Sequence, residues 1–248
     1  MMTADHGKRR MGDVIRIPGD YQHRVLNTGP APQRFWHDAK YREALRWLSP
    51  QAGDRILDLG CGSGVAASML AQTVGTQVVG IDVSEEAIHY ARRQFQGPNL
   101  RYEVGMVDEL GFEDASVDKI ALLEVIEHIY LDQAMEVMRE CFRLLKPGGR
   151  LVVTTPNSHS LWPMIEWGLD LLRLVPSLKG DQHVNNFTAS GLIDLAHSGG
   201  FTVVTCRTMH FLAPWLALFS WRLALQVHRL EQVRSHRLGN LLLACLER

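Results

Sequence analysis

Short runs rich in β-branched residues alternate with helical segments along most of this chain, and that alternation constrains its fold more than any other feature. "RILDL" (Arg55–Leu59), "QVVGI" just before Asp82, "LRYEV" (Leu100–Val104), Val117–Leu123 and "RLVVTT" (Arg150–Thr155) read as strands. The spacing predicts helices over about Val65–Val74, from the N-cap Ser84 to about Phe95, and over about Leu131–Leu145, where "KPGG" is a stop signal. An earlier helix is expected over Phe35–Leu48, closed by Pro50. Strands separated by such helices form βαβ units, which give a doubly wound α/β fold with a parallel sheet covered on both faces. Right-handed crossovers then bring the strand C-terminal ends to one edge, where ligands bind in open α/β sheets. Gly60–Gly64, Asp82, Met106–Asp108, Leu123 and Glu124–His128 all fall at such ends.

The 248 residues predict one domain over 35–248, preceded by a tail and loop over 1–34. An insert is expected at about 157–187 and an apolar helical segment at about 209–238. A formal net charge of −1 argues against a broad electrostatic footprint for nucleic acid. Cys61, Cys141, Cys206 and Cys245 are widely spaced and form no CxxC pair, which reads as a reduced, cytoplasmic chain. The N-terminus lacks the apolar core of a signal peptide, and Lys8-Arg9-Arg10 reads as a solvated tail.

"LDLGCGSG" sets Gly60, Gly62 and Gly64 at alternate positions between a strand and a helix. Glycine there permits a tight turn and a close ligand approach beside a helix N-terminus. Asp82 ends the next strand, 18 residues after Gly64, where a carboxylate can accept both hydroxyl hydrogens of a ribose. The spacing is GxGxG, with Val65 at the position where a dinucleotide fingerprint, GxGxxG, wants its third glycine. Asp58 would repel a pyrophosphate but suits a cationic amino-acid ligand.

"ILDLGCGSG", "GIDVS", "VDKIALLEVIEHI" and "LKPGGRLVVTTPN", in this order, resemble the class I S-adenosylmethionine-dependent methyltransferases over about residues 35–207. The resemblance implies a Rossmann-like, mostly parallel seven-stranded sheet with an apolar helical cap, and S-adenosylmethionine as cofactor. It implies that Gly60, Gly62 and Gly64 pass under the methionine part, with Cys61 in the same loop and Asp58 at the end of the strand before it. Asp82 would hold the ribose, and Val83, Met106 and Val107 would flank the adenine, with Leu123 at the neighbouring strand end. The family often has an acidic "GDA" step that this chain replaces with Gly105-Met106-Val107. Either Asp108 substitutes or adenine is held by packing and backbone alone.

"EVIEHI" (Glu124–Ile129) crowds two carboxylates and an imidazole at the end of a buried strand. A phenol has a pKa of about 10, so its methylation near neutral pH needs a general base or a bound cation. If the chain turns helical there, Glu124, Glu127 and His128 share one face. Three readings stay open: a divalent metal site (Mg, Mn or Zn), acid–base catalysis by His128 or Glu127 without metal, and structural pairing. An E-x-x-E-H motif followed by a distant His before an "HVNNFT"-like segment resembles two branches. These are the ubiquinone-biosynthesis O-methyltransferases and the small-RNA 3′-terminal 2′-O-methyltransferases. By that resemblance the metal ligands would be Glu124, Glu127, His128 and His183.

"SLWPMIEWGLDLLRLVPSLKG" and "MHFLAPWLALFSWRLALQVHRL" are apolar but too interrupted for a membrane span. They read as a cap on the sheet, an apolar roof for a lipophilic acceptor, or a peripheral membrane contact aided by Arg222, Arg229, Arg234 and Arg237. "NLLLACLER" is expected to return as a final edge strand. The function expected is methyl transfer to an oxygen of a small, apolar phenol- or quinol-type acceptor. The rivals are an RNA 2′-O-methyltransferase and a non-catalytic, membrane-associated cofactor-binding protein.

Overall fold

The computed structural model describes residues 17–160, 184–233 and 238–248. Among them, β1 (Arg55–Leu59), β2 (Gln77–Asp82), β3 (Leu100–Val104), β4 (Val117–Leu123), β5 (Leu145–Pro156), β6 (Thr202–Met209) and β7 (Leu241–Glu247) build one sheet. Its order is β3-β2-β1-β4-β5-β7-β6, the doubly wound arrangement expected. The first five strands pair in parallel, while β7 runs antiparallel to both β5 and β6. Two reversals restore direction, so β6 runs parallel to β5 and ends at the same edge as β1, β2 and β4.

Helices cover both faces: α1 (Tyr21–Thr28), α2 (Ala31–Leu48), α3 (Val65–Leu70), α4 (Glu85–Gln94), α5 (Leu131–Leu144), α6 (Ala189–Ser198), α7 (Ala213–Leu216) and α8 (Trp221–Val233). Leu242, Ala244 and Leu246 of β7 join Met138, Leu144 and Leu192 in one core layer. Leu241, Leu243 and Cys245 join Leu48, Leu70 and Ile88 in the other. This period of two explains why β7 is apolar throughout: a sheet covered on both faces has no solvent side.

The structure differs from the sequence expectation in several places. α1 forms within the stretch read as tail and loop, and α2 begins at Ala31 rather than Phe35. α1 has one buried residue, Val25, so its apolar periodicity is too faint to read. The helix before "KPGG" ends at Leu144 as expected, but β5 starts at Leu145 and takes in "KPGG", rather than starting at Arg150. β7 is an inner strand and β6 is the edge, as their burial requires: β7 is buried from Leu241 to Leu246, whereas Thr202, Val204 and Arg207 of β6 are exposed.

The apolar cap is only partly covered. Ala213, Ala217 and Ala224 pack on Phe35 and Ala39 of α2, while Leu218, Phe219, Leu223 and Leu230 face outward. The insert residues 161–183, including His183, and residues 234–237, including Arg234 and Arg237, lie outside the described residues. No helix of the described residues is long and apolar enough to cross a membrane.

Candidate active site

The loop between β1 and α3 holds its shape through glycine. Gly60, Gly62 and Gly64 have φ of 71°, 50° and 83°, a region side chains avoid. A Cβ on each would collide, with Val125 at Gly60, with Gln22 at Gly62, and with Tyr102 and Ala91 at Gly64. Asp82 closes the loop from the end of β2: Gly62 N–H donates to its Oδ2 and Ser84 N–H to its Oδ1, both at 2.8 Å. Ser84 caps α4, its hydroxyl accepting from Ala87 N–H at 3.2 Å.

Asp58 is buried beneath the loop, and burial pushes its carboxyl up to about 7. Its Oδ2 has no hydrogen-bond partner among the described residues. An ammonium group beside it would restore the charge that burial suppresses. Cys61 is buried in the same turn, and Leu123 ends β4. Val83 follows Asp82 directly, and Gly105 N–H donates to Asp82 O at 3.1 Å, which draws the Met106–Val107 turn to the same edge. Asp108 is exposed. The residues expected to bind the cofactor therefore lie along one edge, and the glycine cradle, Asp82 and the open Oδ2 of Asp58 fit an aminoacyl nucleoside.

Sequence reasoning missed the cover of this cradle. Ser63 N–H donates to Gln22 Oε1 and His23 N–H to Ser63 Oγ, each at 3.0 Å. His23 Nδ1 lies 2.6 Å from Tyr90 Oη on α4. These bonds tie α1 across the glycine loop.

At the end of β4 the backbone bends sharply. Glu124 sits at φ 59°, and Ile126–His128 form a single 3-10 turn, not the longer helix that would align Glu124, Glu127 and His128 on one face. The side chain of Val125, between the two carboxylates, packs over Gly60, so this turn borders the cofactor loop directly. Glu124 Oε2 lies 3.5 Å from the ammonium of Lys40, which is only 3% exposed. Glu127 is fully enclosed and accepts from Thr155 Oγ1 at 3.0 Å. Burial and the neighbouring Glu124 push Glu127 well above the carboxylate range. His128 Nε2 stands 4.0 Å from Glu127 Oε1. Val184 and Asn185 donate their N–H groups to Glu127 O at 2.9 and 3.2 Å, fastening the chain after the insert onto this turn. Among the described residues no group of three His, Cys, Asp or Glu side chains is placed to hold a metal ion.

Lys40 also escaped the sequence reading, although a signal was there. It lies four residues before Ala44 and eight before Leu48, both buried, so it falls on the buried stripe of α2. A lysine in that position needs a buried anion.

A family model described as a methyltransferase domain matches residues 56–149. A ubiquinone biosynthesis O-methyltransferase of Xanthomonas axonopodis pv. citri is 35% identical over 170 residues, 62% of this chain and 69% of the relative. The chain belongs to the class I S-adenosylmethionine-dependent methyltransferases. A probable S-adenosylmethionine-dependent methyltransferase of Mycolicibacterium smegmatis is 33% identical over 178 residues, 71% of this chain, and the match spans 62% of that relative's length. The cyclopropane synthase MmaA2 of Mycobacterium tuberculosis superposes with a TM-score of 0.63 at 20% identity, covering 90% of this chain and 88% of the other. The [4+2]-cyclase SpnF gives the same TM-score at 19% identity, covering 90% and 84%. These two likenesses concern the fold alone, and a methyltransferase fold shared with a cyclase does not choose a reaction.

Proposed function

We propose that this chain transfers a methyl group from S-adenosylmethionine to a hydroxyl oxygen of a small, apolar phenol- or quinol-type acceptor. The observation that carries the reading is the packing of Val125 over Gly60, which sets the Glu124–His128 turn beside the cofactor loop. The cofactor supplies an electrophilic methyl on a sulfonium. Asp82, Asp58 and the glycine cradle bind and orient it. His128 takes the proton from the acceptor hydroxyl as the oxygen–carbon bond forms, leaving a methyl ether, S-adenosylhomocysteine and an imidazolium.

One observation supports acid–base chemistry over a metal at this turn: Lys40 already balances Glu124. His183 stays a candidate fourth ligand by resemblance only. Lipophilic character in the acceptor is supported by the outward Leu218, Phe219, Leu223 and Leu230, with the exposed Arg222 and Arg229 beside them. That face suits an anionic bilayer surface from which such an acceptor could be drawn. The reading also draws support from the O-methyltransferase relatives.

The test is a methyl-transfer screen with labelled cofactor against phenol, quinol and RNA pools, with and without EDTA. Label in the phenol or quinol fraction at equal rates with chelator is expected. Label in RNA alone, or turnover restored only by added metal, overturns the acceptor class or the metal-free chemistry respectively.

A further inference from the structure

β6 runs parallel to β4 and β5, so His210, the residue directly after it, emerges at the same edge as Glu124. Four non-glycine residues have left-handed backbones among the described residues: Ser49, Ala115, Glu124 and His210. Ser49 is the C-cap of α2 and Ala115 precedes β4, so both lie at the far edge. The other two stand at the ligand edge. Strain of this kind collects at functional sites.

His210 is completely buried, yet neither ring nitrogen has a hydrogen-bond partner among the described residues. Its ring stacks with Trp36, at 4.5 Å and 26°, and with His228, at 5.9 Å and 20°. His228 is itself braced by Phe35 at 5.8 Å and by Glu43, 3.9 Å from its Nε2. These ring contacts leave the two ring nitrogens as the groups to be satisfied. A phenyl ring would fill the same stack without desolvating two nitrogens, so packing alone does not call for histidine. The Oδ1 of Asn240, whose N–H donates to His210 O at 3.3 Å, is also buried and unpartnered.

We propose that His210 is an acceptor-binding residue that hydrogen-bonds an oxygen on the acceptor at the end remote from the transferred methyl group. This rests on the methyl-transfer reading above. β6 stands three strands from β4 in the sheet order, roughly 14 Å at the backbone. His210 therefore addresses the far end of an acceptor whose reacting oxygen meets His128. Burial, His228, Lys40 and His37 together hold His210 well below the ordinary imidazole range, so it is neutral. A neutral imidazole offers one N–H donor and one lone pair, which matches a hydroxyl better than a phosphate or carboxylate.

Two probes differing only at the far end test this: 4-(2-hydroxyethyl)catechol and 4-ethylcatechol, with S-adenosylhomocysteine for binding and S-adenosylmethionine for turnover. In ¹⁵N-histidine-labelled protein the hydroxyethyl compound should shift the His210 ring nitrogens and the ethyl compound should not. Its KM should be at least tenfold the lower of the two in wild type. His210→Phe should erase that difference while cofactor affinity holds. His210→Asn, which keeps a donor and an acceptor and tolerates positive φ, should retain most of it. Equal KM values for both probes in wild type and His210→Phe, or an unmoved His210 resonance, overturn the subsite while methylation of either catechol leaves the function standing. Shifted His210 resonances without methylation in any variant do the reverse. Loss of cofactor binding in His210→Phe with no rescue by His210→Asn makes His210 structural and overturns the proposal.

Discussion

The cofactor half and the acceptor half of the ligand edge are built on opposite plans. Around β1 and β2 the left-handed positions are glycines, and both oxygens of Asp82 are held by backbone N–H groups. Asp58 Oδ2 is the atom left open there. Around β4, β5 and β6 the left-handed positions are Glu124 and His210, and Glu124 Oε1, Thr154 Oγ1, Asn240 Oδ1 and both His210 nitrogens have no partner among the described residues. One half shapes backbone, as a bound cofactor would require. On the proposed function, the other half would set side-chain chemistry against an acceptor, with its unsatisfied groups facing what that acceptor offers.

The largest effect that would break this division is on turnover. His128→Ala should lower kcat by about 10²–10⁴-fold with the cofactor dissociation constant nearly unchanged. Equal losses in both, from single-turnover kinetics and calorimetry, would merge the two halves. Next, Asp82→Ala should weaken cofactor binding at least about tenfold, about 1.4 kcal/mol, since a charged bidentate acceptor is lost. Unchanged affinity by titration would remove Asp82 from the site.

A pH dependence sharpens the role of Asp58. Burial raises its pKa from 3.8 to about 7. A carboxyl whose folded pKa exceeds its unfolded value takes up a proton on folding. The cofactor-free protein therefore loses the Asp58 contribution as pH rises from about 4 to about 7. A cationic ligand needs the ionised form, so cofactor affinity should fall as pH drops below about 7, and Asp58→Asn should flatten that profile. Calorimetry in buffers of different ionisation heat checks the proton release. The smallest effect is kinetic: Gln22→Ala should speed cofactor dissociation about two- to fivefold by loosening α1 over Gly62, measured by stopped flow. An unchanged off-rate would make α1 a bystander.

What the sequence made legible tracks how local each signal is. "LDLGCGSG" and Asp82 lie in one βαβ unit, where each strand end predicts its neighbour, and they come together as expected. The β4 turn was legible as a cluster but not as a geometry, because a 3-10 turn depends on Thr154, Thr155, Val184 and Asn185 arriving from elsewhere. Gln22, Lys40 and His210 were not singled out. Each acts on residues 40 or more positions away or sits in a stack assembled from three elements. A polar residue in an apolar stripe, as Lys40 is, was the one readable trace.

The inner position of β7 gives the two halves different histories. β6 is an edge strand whose sheet partner is β7, so during vectorial synthesis residues 202–209 have no ladder to join until 241–247 emerge. The β1–β2 unit meets no such delay, because its pairing closes over about 20 residues. The cofactor cradle can thus be complete while His210 still waits for its strand, and nascent chains should acquire cofactor affinity before any selectivity for an acceptor.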